Sequence, residues 1–433
     1  MKRYEQYKDS GVAWIGEIPA HWETVKPKYT VFLQKGTKPQ ELTDEDNGNL
    51  PYLTMDVLRD RANKTTMYPT SVNDLVKVGK GDVLVLWDGA NAGEVLFAKE
   101  GYLSSTMARF GFNTNRLDSR YWFYFLKGLE PILKEFAGGT TIPHLDSSKI
   151  MEEPYPIPSI DEQQAIVRYL DYKVAKIDKL ISENEAQVKE LEKYRTAVIS
   201  EVVTKGLNPN VPMRDSGIQW IGEIPAHWEV KRLKHFTRLI TDGTHQTPDY
   251  IDDGIPFLSI KDVSSGSIDF SDVKYISLHQ HNELSKHAPI EKGDILFTRI
   301  GTLGVFVIVD CNQAFDIFVS LGLIKLKQGL INTNFLVYYL SSHNVKEYIL
   351  LVKAGEGTSA AKFNLSDVAS TPVVLPPNYE QQQIVDILAN KCKKIDESLR
   401  SIKTQIEELK AYKIALISEA VTGHIDVRDW QEK

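Results

Sequence analysis

Short hydroxyl, amide, imidazole and cationic side chains recur on glycine-punctuated stretches of this chain. One set is Lys38, Trp87, Asn91, Thr140, Thr141 and His144. It belongs to Gln34-Lys35-Gly36-Thr37-Lys38-Pro39, to the strand end Trp87 with Asp88-Gly89-Ala90-Asn91-Ala92-Gly93, and to Gly138-Gly139-Thr140-Thr141-Ile142-Pro143-His144. A second set is His245, Gln246, Arg299, Thr302, Thr358, Ser359 and Lys362. It belongs to Thr241-Asp242-Gly243-Thr244-His245-Gln246-Thr247-Pro248, to Arg299 with Ile300-Gly301-Thr302-Leu303-Gly304, and to the stretch from Gly355 to Lys362. Side chains of these types on glycine-rich loops can reach phosphate oxygens and base edges. Ordinary surface turns use the same residues. The distinguishing feature is recurrence at matching places in two halves of the chain.

Catalytic chemistry is harder to find. There is no GxxxxGK[ST] phosphate loop, no glycine-rich dinucleotide fingerprint and no HExxH. Asn-Pro-Pro-Tyr is absent; Pro376-Pro377-Asn378-Tyr379 holds the same letters in another order, ahead of a helix. His279, His281 and His287 cluster without a matched set of acids and read as a solvated turn. A nuclease-like pattern assembled from Pro248-Asp249 and Asp272-Val273-Lys274 is short, and the other half lacks it. No catalytic and no metal-binding residue is therefore assigned. Cys311 and Cys392 are the only cysteines and form no CxxC pair, which argues against a disulfide framework and a zinc knuckle and for a reducing cytoplasm. The net charge of -7 argues against a simple polycation that coats nucleic acid. No apolar run reaches the roughly 18 residues of a membrane span, and the charged opening MKRYEQYKDSG is unlike a signal peptide.

The elements that position the two sets are themselves duplicated. DSGVAWIGEIPAHWE at 9–23 returns as DSGIQWIGEIPAHWE at 215–229, with thirteen of fifteen positions identical at an offset of 206. Glu162-Gln163-Gln164, Lys176-Ile177-Asp178 and Ile199-Ser200-Glu201 return at an offset of 218 as Glu380-Gln381-Gln382, Lys394-Ile395-Asp396 and Ile417-Ser418-Glu419. The second intervening segment is thus 12 residues longer than the first. Framework and helix are kept while the segments between them diverge, as in two parts doing one job on different targets.

Each helical segment opens after prolines (Pro154, Pro156 and Pro158; Pro372, Pro376 and Pro377), runs about 45 residues without another, and is closed by Gly206 or Gly423. Apolar residues step by four and three. The first seam is Ile177, Ile181, Asn184, Val188, Leu191, Arg195, Val198 and Val202; the second is Ile395, Leu399, Ile402, Ile406, Leu409, Lys413, Leu416 and Ala420. That register predicts a coiled coil. An antiparallel pair satisfies a pseudo-twofold relation between the repeats. The heptads span about 25 residues, or roughly 38 Å, close to one turn of B-DNA at about 34–36 Å. The intervening segments read as α+β. Asp82–Trp87 and Asp294–Arg299 are strand-like, and aromatic helical patterns follow at 119–136 and 333–351.

Two copies of WIGEIPAHWE, the Gly-Thr loops, the Pro-rich entry to Glu-Gln-Gln and the long helices together resemble the specificity (S) subunit of type I restriction-modification systems, over essentially the whole chain. The resemblance implies an α+β fold: two target recognition domains joined by a long antiparallel two-helix coiled coil. Each domain would read one half of a bipartite DNA site. The helices would set the spacing and dock two methyltransferase (M) subunits through Ile177, Ile181, Asn184, Val188, Leu191, Ile395, Leu399, Ile402, Ile406 and Leu409. Two restriction-translocation (R) subunits can join. S-adenosylmethionine would be held by M, ATP and Mg²⁺ by R, and no cofactor by this chain. The expected organisation is an N-terminal framework at 1–23, recognition domain 1 at 24–157, a central helix at 158–206, the framework repeat at 207–229, recognition domain 2 at 230–375, a C-terminal helix at 376–425 and a tail at 426–433. Trp14, Trp22, Trp220 and Trp228 are expected to dock each domain onto the helices, and Pro19 and Pro225 to forbid a helix there. The differing chemistry beside Asp88 and Arg299 predicts an asymmetric target. An autonomous nuclease or methyltransferase, or a coiled-coil adaptor without a DNA role, are the alternatives.

Overall fold

The computed structural model describes residues 2–59, 65–135, 137–138, 143–264, 266–354 and 362–432. The chain divides into two compact units. Unit 1 holds residues 1–185 and 403–433, and unit 2 holds residues 186–402.

In unit 1, β1 (Val31–Lys35), β2 (Tyr52–Leu53), β3 (Val83–Leu86), β4 (Val95–Phe97), β5 (Gly101–Leu103) and β6 (Met107–Phe112) build two sheets. The larger is antiparallel with order β4-β3-β6-β1. All four β3 residues are buried, as an apolar run in a central strand requires. Alternation sends Leu84 and Leu86 into a core with Leu53, Leu103 and Met107, beneath the smaller sheet in which β2 and β5 pair in parallel. Helix α1 (Ser119–Glu135) buries Tyr121, Trp122, Tyr124 and Phe125. Trp122 meets Phe110 of β6 edge-on at 5.6 Å. Helix α2 (Ile160–Lys205) begins in this unit.

Unit 2 repeats the plan with β7 (Thr237–Asp242), β8 (Ile255–Leu258), β9 (Ile295–Thr298), β10 (Phe306–Ile308), β11 (Asp316–Ile317) and β12 (Leu321–Leu326). Its larger sheet has order β7-β12-β9-β10, which is the same arrangement. The smaller sheets differ: β5 is central in unit 1, whereas β8 is central in unit 2. The aromatic helix also differs. The expected single helix at 333–351 is two, α3 (Thr333–Leu340) and α4 (His343–Ala354). At the break Ser342 is buried, and the His343 amide donates to Ser200 Oγ at 2.8 Å. In unit 1 α1 is continuous, and the backbone of Gly128 passes close to Ser418.

Helix α5 (Asn378–Val421) completes the set. At the start of α2 the Glu162 amide donates to Ser159 Oγ, an N-cap bond, and the Ser159 hydroxyl donates to the Glu162 carboxylate. Gly206 and Gly423 end the long helices at φ +77° and +78°, a conformation side chains resist. Within unit 1, Tyr121 Oη lies 3.0 Å from both Pro156 O, just ahead of α2, and Val421 O, on the last residue of α5, which share its one hydrogen. Farther along, Lys413 Nζ lies 2.7 Å from Asp178. Within unit 2, Arg195 Nε lies 2.9 Å from Asp396, and Lys205 shares a cavity lining with Tyr379 and Glu380. In each unit, then, the beginning of one helix lies beside the end of the other, and the segments run in opposite directions. Ile177, Ile181, Ile395, Leu399, Ile402 and Ile406 are buried, while Asn184, Val188, Leu191 and Leu409 are half-buried. Arg195 and Lys413, the basic seam residues, are the two that find aspartates.

Candidate nucleic-acid interface

The framework tryptophans fix each recognition domain to a helix entrance. Trp22 Nε1 donates to Glu162 Oε1 at 3.3 Å, and His21 Nε2 lies 2.9 Å from the same oxygen. In unit 2, Trp228 Nε1 donates to Glu380 Oε2 at 2.8 Å, with His227 Nε2 at 2.7 Å from Oε1. Partial burial would raise both glutamates, but the hydrogen bonds from the indole and imidazole outweigh it and hold each below its ordinary value. The neighbouring Gln163 and Gln381 are buried and tie the domain helices in. Each accepts the backbone amide ahead of α1 or α3 (Asp118, 2.7 Å; Asn332, 2.8 Å). Trp14 and Trp220 do not join them. They lie against Phe125 of α1 and Tyr348 of α4, and Trp220 also packs against a core that includes Val198 and Val202 of α2 and Ile384 of α5. Those prolines sit in short strands, Glu17–Pro19 and Glu223–Pro225.

Fixed in this way, the larger sheets present matching strand ends. In unit 1, Leu145 N donates to Trp87 O at 2.9 Å; in unit 2, Phe363 N donates to Arg299 O at 2.8 Å. Isolated bridges join Asp88 to His144 and Ile300 to Lys362. The loop after β1 packs so tightly that a Cβ on Gly36 would collide with the Ser104 carbonyl, and one on Gly243 with the Ile317 carbonyl. The backbone frame is thus the same, and glycine is required at the same point of it.

The side chains on that frame are not the same. In unit 1, Lys35 Nζ lies 3.1 Å from Asp88 Oδ2 and 5.4 Å from the Trp87 ring centre. Trp87 Nε1 donates to His144 Nε2 at 2.9 Å, and His144 Nδ1 meets Asp88 Oδ1. Partial burial would raise the Asp88 pKa, but His144 and Lys35 outweigh it and keep the carboxylate below its usual range. Lys38, Asn91 and His144 are exposed and Trp87 is half-buried, so the cluster offers cations, an amide and an aromatic edge to solvent.

In unit 2 an acid takes the place of Lys35. Asp242 is buried and pairs with Arg299, itself 4% exposed. Arg299 was expected among the DNA-contacting residues; it directly follows β9, and its guanidinium is held by the Asp242 carboxylate inside the domain. The exposed groups are those around the pair. His245 Nε2 lies 3.0 Å from Asp242 Oδ2, and His287 Nε2 lies 3.0 Å from Thr241 Oγ1 and 3.8 Å from Asp242 Oδ1. His281 Nδ1 lies 2.6 Å from the buried Asp316, whose pKa burial raises. His281 is therefore engaged within the helix Leu278–Leu284 rather than part of a solvated turn, whereas His287 is exposed in the turn that follows and reaches Thr241 from there. Beside them opens a cavity of 300 Å³ lined by Gly243, His245, Gln246, Glu283, His287 and Asp316. Gln246 and Thr302 are exposed and Lys362 is half-buried. Thr140, Thr141, Thr358 and Ser359 lie outside the described residues. Asp242 and Lys35 were not among the site residues predicted from the sequence, and His287 was read there only as part of a solvated turn; the signal for the first two was their place beside the Gly-Thr loops.

The ten seam residues assigned to partner docking already pack within the chain, so their exchange for charge would act first on the helix pair. Among the described residues no group of three or more His, Cys, Asp or Glu side chains is arranged to hold a metal ion, and no helix is long and apolar enough to cross a membrane.

The family model described as type I restriction modification DNA specificity domain matches residues 19–190 and 225–410. The type I restriction enzyme MjaVIII specificity subunit of Methanocaldococcus jannaschii is 28% identical over 418 residues, covering 95% of this chain and 95% of that protein. The EcoBI specificity subunit of Escherichia coli is 22% identical, covering 90% of this chain and 82% of its own. A chain solved in work on complex assembly and conformational transition of the type I R-M system superposes with a TM-score of 0.65 at 16% identity, covering 94% of this chain and 99% of that one, which is a likeness of fold.

Proposed function

The chain belongs to the type I restriction-modification DNA specificity family, and from that premise we propose that its two recognition domains read the two different halves of one bipartite DNA site. Specificity subunits direct such systems to their DNA sequence. One observation carries the finer reading: a shared backbone frame holds Lys35, Trp87, Asp88 and His144 in one unit, and Asp242, Arg299, Ile300 and Lys362 in the other. A scaffold kept while its strand-end chemistry is exchanged suits two readers of unlike base edges.

The helices supply the ruler in this proposal. Paired end to end as an antiparallel coiled coil about a pseudo-twofold axis, they fix the spacing between half-sites and dock two methyltransferase subunits, with two restriction-translocation subunits able to join. S-adenosylmethionine, ATP and Mg²⁺ belong to those partners, and the assembly works in the cytoplasm. The test is to assemble this chain with its methyltransferase subunits and map the methylated bases. The expected product is two unlike half-sites separated by a fixed number of base pairs. A palindromic or uninterrupted site would contradict the proposal.

A further inference from the structure

We propose that unit 2 carries a second, sequence-independent DNA contact: a cationic cleft beside the long helices in which Lys346 and Arg400 grip backbone phosphates. The cleft has a volume of 740 Å³ and is walled by α2 and α5 (Arg195, Asp396, Arg400), by the domain helices (Tyr338, Lys346) and by turns at Gly266 and Gly304. That is within the roughly 300–1,000 Å³ of ligand sites.

Its charge is the argument. Arg195 is committed to Asp396 at 2.9 Å. Lys346 and Arg400 are exposed, and neither side chain has a hydrogen bond or ion pair among the described residues. Two uncompensated cations therefore face one cleft in a chain whose net charge is -7. Gly266 and Gly304, at φ +88° and +73°, expose backbone to the cleft at their own positions, beside Ser264 and Ser267. Half-buried Tyr338 lines the cleft and carries a phenol hydroxyl that can donate. Cations, a hydroxyl donor and bare backbone suit phosphate oxygens better than an apolar protein partner. Unit 1 has Ser182 at the place 218 residues before Arg400, so the contact belongs to one half only.

The inference rests on the DNA-reading function proposed above. The experiment uses the complex of this chain with its methyltransferase subunits, a duplex carrying the mapped site and a scrambled duplex, titrated across salt. Each phosphate contact contributes about 0.9 to the slope of log K against log salt. The K346A/R400A variant is expected to flatten that slope by about 1.8, to weaken both duplexes by the same factor and to leave methylation specificity unchanged. K346R/R400K should restore the wild-type slope, and the unfolding midpoint should not move. An unchanged slope would overturn the inference while leaving the proposed function intact. So would loss of ATP or inorganic-phosphate binding in K346A/R400A with the DNA slope retained, since the occupant would then be a free anion. A wild-type complex that does not prefer its mapped duplex would overturn both readings.

Discussion

The strand end of β3 in unit 1 and that of β9 in unit 2 differ where everything around them agrees. Each is a central strand of its own unit's four-stranded sheet, in the same strand order, each strand end receives a backbone hydrogen bond from a returning loop, and the matching loop of each unit holds a glycine that tolerates no side chain. Yet Lys35 in one place answers to Asp242 in the other, and half-buried Trp87 to buried Arg299. Positions that hold the backbone are constrained by packing and cannot drift. Side chains at the strand ends, exposed at Lys35 and buried at Asp242, can exchange a cation for an anion, provided a partner follows: Asp88 and His144 for Lys35, Arg299 and His245 for Asp242.

Matched substitutions test that division. The largest effects should be symmetric. Trp22→Ala and Trp228→Ala each remove a fully buried indole and should cost about 3–5 kcal/mol, seen as parallel falls in the unfolding midpoint. A large loss in only one would mean that the framework is not shared. At the strand ends the effects should diverge. Arg299→Met strands a buried Asp242 and should cost about 3–5 kcal/mol, whereas Trp87→Ala, at the equivalent place but half-buried, should cost about 1 kcal/mol or less. Equal costs would remove the contrast.

Acid should act on both junctions alike. Glu162 and Glu380 are held below their ordinary pKa when folded. Their contribution is complete above the ordinary carboxylate range and is lost as the pH falls through the depressed folded value. Urea midpoints taken from pH 7 to pH 3 should fall in this acid range, and E162Q/E380Q should flatten the fall; an unaltered acid limb would contradict the role of the junction. The smallest effects belong to the helix ion pairs. Arg195–Asp396 and Lys413–Asp178 are more than a third exposed on at least one side, so double-mutant cycles should give about 0–1 kcal/mol for each, and nearly the same for both.

Much of this was legible in the sequence because it rests on period. The seam from Ile177 to Ala420 needed only a 3.5-residue spacing, and every one of its sixteen positions is buried or half-buried. The β3 and β9 strands followed from turn signals and apolar runs, and the helix ends from Gly206 and Gly423. Long-range pairing was not legible. His287 meets Thr241 and Asp242 across 45 or more residues of chain, and no local pattern announces it. Arg299 looked like a surface reader because a glycine loop follows it; its burial depends on an acid supplied by another strand. At the split of the second aromatic helix the His343 amide donates to Ser200 of α2, again a tertiary event. Trp14 and Trp220 shared a motif with Trp22 and Trp228, but repetition gives no direction to a side chain.

The most direct measurement is methylation mapping with two variant complexes, one carrying K38A/H144A and the other H245A/Q246A, each beside the wild type. All four side chains are exposed, so folding should be spared. The account predicts that each variant relaxes or shifts one half of the methylated sequence, that the two variants affect opposite halves, and that the spacing stays fixed. Both halves changing together, or neither changing in either variant, would contradict it.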